Sequence, residues 1–334
     1  MDWSRGFSSL YYAAIVDPDT WRDVDRLEII DGSIKRTNSD LLESADISCV
    51  NYSATNEQLI RIWLDATQNG DTSHIPLFTG LATSPGRDIE GRLTTNRLQC
   101  YSVLKKAQDI LLPRGWYAPK DAIGTDLVRG LLKVIGAPIE IAENSPGLKS
   151  AIIAESGENN LSMATRILNA INWRMRLTGD GKILISPYNK EPVDKFDNVN
   201  NDILEPSVTV EYDWYDCPNV LRAVVDDDYA VARDDDPNSK FSTVSRGREV
   251  WYEESDCTLN NNENLTQFAQ RRLKECQQVA MEIEYDRRFK PDIYVTDVVE
   301  INYPEQKISG YFVITSQSID LQYGARMSEE VKQI

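Results

Sequence analysis

Histidine is nearly missing from this 334-residue chain, with His74 the single example. No histidine cluster can therefore hold zinc, iron or copper, and any Ser-His-Asp arrangement would have to use His74. No G-x-S-x-G elbow accompanies it, and it precedes Ile75-Pro76 at the mouth of an expected strand, where it reads as a loop or edge residue. The five cysteines, Cys49, Cys100, Cys217, Cys257 and Cys276, lie far apart and make no C-x-x-C pair. They read as free thiols in a reducing compartment. Gly80, Gly86, Gly91 and the Gly179/Gly181 pair are turn glycines and form neither a phosphate loop nor a dinucleotide fingerprint. No apolar run approaches the roughly 20 residues that cross a bilayer, and the N-terminal segment has too little apolar length for a signal peptide. Positive charge is also short: 36 basic residues face 53 acidic ones, a net charge of −17. That balance repels nucleic acid and anionic membrane and leaves no basic stripe for gripping DNA.

The acidic excess does not assemble a recognisable site. Asp226, Asp227 and Asp228, then Asp234, Asp235 and Asp236, bracket a short apolar and aromatic piece. The central glycine and terminal glutamate of a calcium loop are missing, so these six read as a solvated acidic loop, rim or lumen lining. No carboxylate pair stands out as a glycosidase acid and base. The expectation is a non-enzyme with no catalytic residues, no cofactor and no metal.

What is present is a β-rich chain interrupted by helices. Leu10 to Val16, Leu59 to Asp65, Ile75 to Thr83 and Arg92 to Tyr101 have strand pattern, with turns at Asp31-Gly32-Ser33 and Ser84-Pro85-Gly86. After about residue 101 helical faces follow at 103–111, 127–135 and 160–171, the last with Asn159 or Asn160 as N-cap. Thr178-Gly179-Asp180-Gly181 is the tip of a hairpin joining Trp173–Leu177 to Lys182–Ser186. Strand pattern returns at 207–212 and 220–225, a helix covers about 260–280, and four closing strands follow at 281–285, 293–299, 308–315 and 318–323. The expected domains are 1–100, β and open to completion by later strands; 101–187, small α/β; and 188–334, β with one long helix. Trp3, Phe7, Tyr11, Tyr12 and Trp21 crowd a segment too short to make its own core, so they read either as plain intrachain packing or as inter-subunit interface candidates.

Several short motifs share one likeness: Trp21-Arg22-Asp23-Val24, Asp31-Gly32-Ser33-Ile34, Leu77-Phe78-Thr79-Gly80 with Gly91 after it, and Tyr101-Ser102-Val103-Leu104. Asp180-Gly181-Lys182-Ile183, Tyr215-Asp216-Cys217-Pro218-Asn219-Val220, Gly310-Tyr311-Phe312-Val313-Ile314-Thr315 and Gly324-Ala325-Arg326-Met327 continue it. In this order the chain resembles the baseplate or tail hub proteins of long-tailed bacteriophages and phage-derived particles, above all the prophage-type hub related to that of contractile phages. The resemblance implies a mixed, mainly β fold: two tail-tube-like β-barrel domains with a small α/β domain inserted between them. It also implies a structural virion protein, assembled as a homotrimer that continues the tail tube with an axial channel. The implied partners are the tube or distal tail ring protein, a spike or tip protein, the tape-measure protein and DNA in transit without specific binding. The protein would be made in the bacterial host cytoplasm and reside in the virion tail baseplate or tip. Two other readings stay open, a cell-surface or carbohydrate-binding module of the tail tip and a cell-wall hydrolase component.

Overall fold

The computed structural model describes residues 1–3, 5–39, 41–50, 52, 57–90, 93–143, 145–197, 208–212, 214–215, 217–225, 228–255, 264–277 and 281–334. Six strands come first: β1 (Ser8–Val16), β2 (Asp23–Thr37), β3 (Glu43–Val50), β4 (Gln58–Gln68), β5 (Asp71–Glu90) and β6 (Leu93–Ser102). In β4, Ile60, Ile62, Leu64 and Ala66 enter one core, while Leu59 belongs to another and Arg61 is buried beside it. A strand covered on both faces loses the clean polar alternation of a half-solvated one, which is why Leu59 to Leu64 is so apolar.

Both segments expected as turns are irregularities inside long strands. Asp31-Gly32-Ser33 lies within β2, whose register against β3 shifts between Ile29 and Asp31. Ser84-Pro85-Gly86 lies within β5, whose register against β6 shifts between Ala82 and Ser84. Glycine and proline mark bulges as readily as turns, so composition alone did not separate the two. Gly32 is needed for close approach, since a Cβ there would fall on the Asp46 carbonyl oxygen.

The middle of the chain supplies α1 (Lys105–Gln108), β7 (Tyr117–Ala118), α2 (Gly124–Leu132), β8 (Ile139–Ile141), β9 (Ile152–Ile153), α3 (Asn160–Ala170), β10 (Trp173–Leu177) and β11 (Ile183–Pro187). The helix expected over 103–111 is reduced to the single turn α1. α2 passes into a 3-10 turn that Gly136 ends at φ 78°. Asn159 caps α3 reciprocally with Ser162. Val128, Leu132, Leu161, Ile167 and Leu168 pack in one core with Val16, Leu59 and Leu81 of the sheet.

The remaining elements are β12 (Pro192–Asp197), β13 (Thr209–Tyr212), β14 (Val220–Val225), β15 (Asp228–Arg233), α4 (Thr243–Arg246), β16 (Trp251–Glu254), α5 (Leu265–Cys276), β17 (Met281–Arg287), β18 (Val298–Tyr303), β19 (Ile308–Asp320) and β20 (Met327–Gln333). The chain divides into two compact units, one of residues 1–208 and 284–331 and one of residues 209–283 and 332–334. In the second unit β14 is central, antiparallel to β15 and parallel to β16. α5 covers one face of that small sheet, with Phe268, Ala269 and Leu273 against Leu221, Ala223 and Ala232. The segments expected as separate strands at 308–315 and 318–323 fall largely within one, β19.

Two tube-like β-barrel domains are not what these strands build. The described strands give one twelve-stranded sheet with the path β1-β4-β5-β6-β3-β2-β19-β20-β17-β13, and β12 joins it through β18 beside β19. An extra β1–β2 pairing makes the first six strands ring-like, but they are not a barrel in their own right. β2 pairs with β1 along Asp23–Glu28 and with β19 along Ser33–Thr37. At 15 residues it is long enough to serve both neighbours, and the bulge near Asp31 marks the handover. The N-terminal and C-terminal strands are thereby joined in one sheet. No helix among the described residues is long and apolar enough to cross a membrane.

Candidate functional site

The β10–β11 hairpin tip is sunk into the sheet. At Gly179 a Cβ would collide with the Pro76 carbonyl, and the Gly179 carbonyl accepts a 2.7 Å hydrogen bond from Thr79 Oγ1. Arg61 converges from β4: Nη2 donates to the Asp180 carbonyl at 3.1 Å, Nε to Thr79 Oγ1 at 3.1 Å and Nη1 to Asp23 Oδ1 at 2.6 Å. A cation this buried is tolerable only with its donors engaged, so the tip is a fastening.

A second fastening lies at Arg174. Its Nη1 donates to the carbonyl and hydroxyl of Thr296 at 2.6 and 2.8 Å, and Nη2 donates to Asp297 Oδ1 at 3.1 Å. Thr296 sits at φ 74°, a left-handed conformation that costs a β-branched residue on the order of 1–3 kcal/mol. Close by, Arg36 donates from Nη2 to the Leu77 carbonyl at 2.8 Å and lies 4.7 Å from the Tyr294 ring centroid. Glu43 stands 3.8 Å from Arg36 Nε, and its Oε1 has no hydrogen-bond partner. Burial pushes the Glu43 carboxyl up to about 8, against the opposing pull of Arg36.

A third buried charge cluster occupies both oxygens of its carboxylate, although Arg287 Nε has no hydrogen-bond partner. Glu329 accepts from Arg287 Nη2 at 2.6 Å, Gln317 Nε2 at 2.6 Å and Tyr285 Oη at 2.8 Å. Burial first, and then the neighbouring Glu329, raise the Tyr285 hydroxyl well above its ordinary range. Sequence reasoning missed Arg36, Glu43, Arg287 and Glu329. The available signal was charge within strand-like runs, as at Arg287 in Met281–Arg287 and Glu329 in Met327–Gln333.

The residues singled out from sequence have varied surroundings. Trp3 and Phe7 meet Phe289, with ring centroids 5.3 Å apart for Trp3–Phe7 and 5.2 Å for Trp3–Phe289. Tyr11 is in the sheet core, where burial raises its hydroxyl pKa. Tyr12 stacks on Trp63 at 6.3 Å under the Arg26 guanidinium, and Trp21 packs beside Gly181. Trp3, Phe7 and Tyr11 thus belong to one hydrophobic core with Phe289, whereas Tyr12 and Trp21 make other contacts.

His74 is on β5, exposed, with Nδ1 2.7 Å from Asp65 Oδ1 on β4. Asp226 and Asp227 lie outside the described residues, and Asp228 opens β15. Asp234 accepts from Ser239 Oγ at 2.6 Å and Gln277 Nε2 at 3.0 Å, Asp235 from the Thr243 hydroxyl, and Asp236 from the Asn238 amide at 2.9 Å. Among the described residues no group of three His, Cys, Asp or Glu is placed to hold a metal. Burial pushes the Cys49 and Cys100 thiols up to about 11 and about 12, which leaves little nucleophilic thiolate at neutral pH.

No family model matches the chain, and no curated protein matches it. Solved structures do. The tail protein from Neisseria meningitidis MC58 is similar at a TM-score of 0.67 and 14% identity, over 98% of this chain and 97% of that one. The 43 kDa tail protein of prophage MuSo2 from Shewanella oneidensis is similar at 0.65 and 12%, over 97% and 98%. Prophage tail protein gp18 from Listeria monocytogenes EGD-e is similar at 0.54 and 12%, over 97% and 94%. The chain therefore has the fold of phage-type tail proteins. More particularly, it shares that fold with two tail proteins of prophage origin along almost its entire length.

Proposed function

We propose that the protein is a structural baseplate or tail-tip hub, forming a trimeric ring that continues the tail tube and connects it to a spike or tip. The observation that carries this reading is the mutual, nearly complete coverage with a tail protein, 98% of this chain and 97% of the other at a TM-score of 0.67. In this reading the tube or distal tail ring protein binds one side and the spike the other, and the tape-measure protein and DNA occupy the axial channel. Segments 1–100 and 188–334 supply the ring wall, and 101–187 is the insertion. The protein is made in the bacterial host cytoplasm and ends in the virion tail.

Trp3, Phe7, Tyr12 and Trp21, each only partly buried, supply aromatic surface to the subunit interface, and Tyr11 supports them from within. Acidic residues, with the 226–236 segment as a rim, line the lumen so that like charge keeps passing DNA from adhering; the net charge of −17 motivates this. Cyclic symmetry lets one chain build a closed conduit. Native mass measurement of the protein should give three times the chain mass, alone or with its neighbouring ring. A stable monomer under both conditions would overturn the reading.

A further inference from the structure

A pocket of about 270 Å³ opens beside the strained Thr296, between α3, β10 and the end of β2. Its floor is apolar, from Leu42, Leu168 and the nearly buried Trp173. Its rim is polar: Asn38 and Asn169 are exposed there, and Tyr188 is 43% exposed. The one charged side chain lining it, Arg174, already faces Asp297 at 3.1 Å. The pocket thus presents aromatic and aliphatic surface below, amide and hydroxyl groups above and no uncompensated charge. Its volume lies just under the roughly 300–1,000 Å³ of drug-sized ligand sites, so the occupant is small.

Two independent features set the place apart. One is the combination of apolar floor and neutral hydrogen-bonding rim, the arrangement by which a concave site orients a small polar ligand. The other is Thr296, a β-branched residue held left-handed at the pocket wall by two hydrogen bonds from Arg174. Strain of this kind persists only where surrounding structure enforces it, and it clusters at ligand clamps.

We infer that this pocket binds a neutral saccharide, with the C–H face of a sugar ring against the exposed Tyr188, over a floor closed by the buried Trp173, and its hydroxyls bonded to the Asn38 and Asn169 amides. A sugar ring has both characters the pocket offers, an apolar face and a neutral polar edge. An acidic sugar finds no unpaired cation to receive it, and desolvating its charge would oppose binding. This site is additional to the ring assembly and does not depend on it, because every residue named lies in a single subunit.

The test is saturation-transfer NMR on the full chain with glucose, galactose, N-acetylglucosamine and lactose, alongside glucuronate and glucose 6-phosphate. At least one neutral sugar should receive saturation on its ring protons, and the two charged sugars should not. Tyr188→Ala should weaken that binding about tenfold and Asn169→Ala severalfold, with thermal unfolding unchanged because both side chains are exposed. Asn38→Ala serves if either variant fails to fold. Absence of transfer to all four neutral sugars, equal binding of the charged ones, or binding unaltered in the variants would each overturn the inference. The oligomeric state leaves this result untouched, so its failure is separable from failure of the ring.

Discussion

Arg287 and Glu329 meet at 2.6 Å between β17 and β20, whereas Arg36 and Glu43 stand 3.8 Å apart between β2 and β3. Both pairs are buried. Glu329 also accepts hydrogen bonds from Gln317 and Tyr285, so its two oxygens are occupied. Glu43 has an unpartnered oxygen, and burial drives its carboxyl up to about 8. The two carboxyls thus differ both in distance to their guanidinium and in hydrogen bonding, and at Glu43 burial outweighs the pull of Arg36.

The sharpest break of this contrast is Glu329→Ala, which strands Arg287 without its counter-charge. Urea unfolding should report a loss of about 3–5 kcal/mol. A loss below about 1 kcal/mol would mean that the bonded pair is energetically no different from an exposed one.

Next in size is a pH effect at Glu43. Its folded-state value of about 8 exceeds the ordinary 4.5, so the folded protein holds this proton more tightly than the unfolded chain does. The resulting stability is fully present below about 4.5 and is lost as pH rises through about 8, on the order of a few kcal/mol across that window. Urea midpoints of the parent from pH 4.5 to 8.5 should fall more steeply than those of Glu43→Gln, which keeps the shape without the titration. Parallel profiles would refute the assignment. Near pH 4, where Glu43 is protonated in the folded and the unfolded chain alike, the same substitution replaces one neutral polar group by another and its cost should stay within about 1 kcal/mol, and toward pH 8 Glu43→Gln should become the more stable protein.

The smallest effect belongs to an exposed pair. Arg97 Nε lies 2.7 Å from Asp88 Oδ2 with both side chains more than half exposed. Arg97→Ala should cost at most about 1 kcal/mol, and added salt should shrink the difference further. A larger, salt-insensitive loss would show that solvent exposure is not what separates this pair from the buried ones.

Local features were the readable ones. Asn159 capping α3 and the Thr178–Gly181 hairpin tip depend on neighbours a few residues away, and their side-chain chemistry is written in consecutive positions. The bulges at Asp31 and Ser84 were misread because the same residues serve turns. The shared use of β2 by β1 and β19 was not readable, since pairing Ile34 with Ile319 is a choice among many apolar strands. At the candidate sites, aromatic density located the Trp3–Phe7 cluster but not its partner Phe289, far along the chain. The pocket at Asn38, Asn169 and Tyr188 draws on three separate segments and left no local trace.

Taken alone, the order of residues determined the acidic character, the mainly strand composition and the individual caps and hairpin, because these follow from side-chain chemistry and short-range periodicity. Tertiary structure decided that the outer strands join one sheet, that Glu43 goes underbonded while Glu329 does not, and that neutral polar groups converge at one pocket. Each of those outcomes depends on which distant backbones come within hydrogen-bonding reach, and burial then sets the electrostatic cost of every group enclosed there.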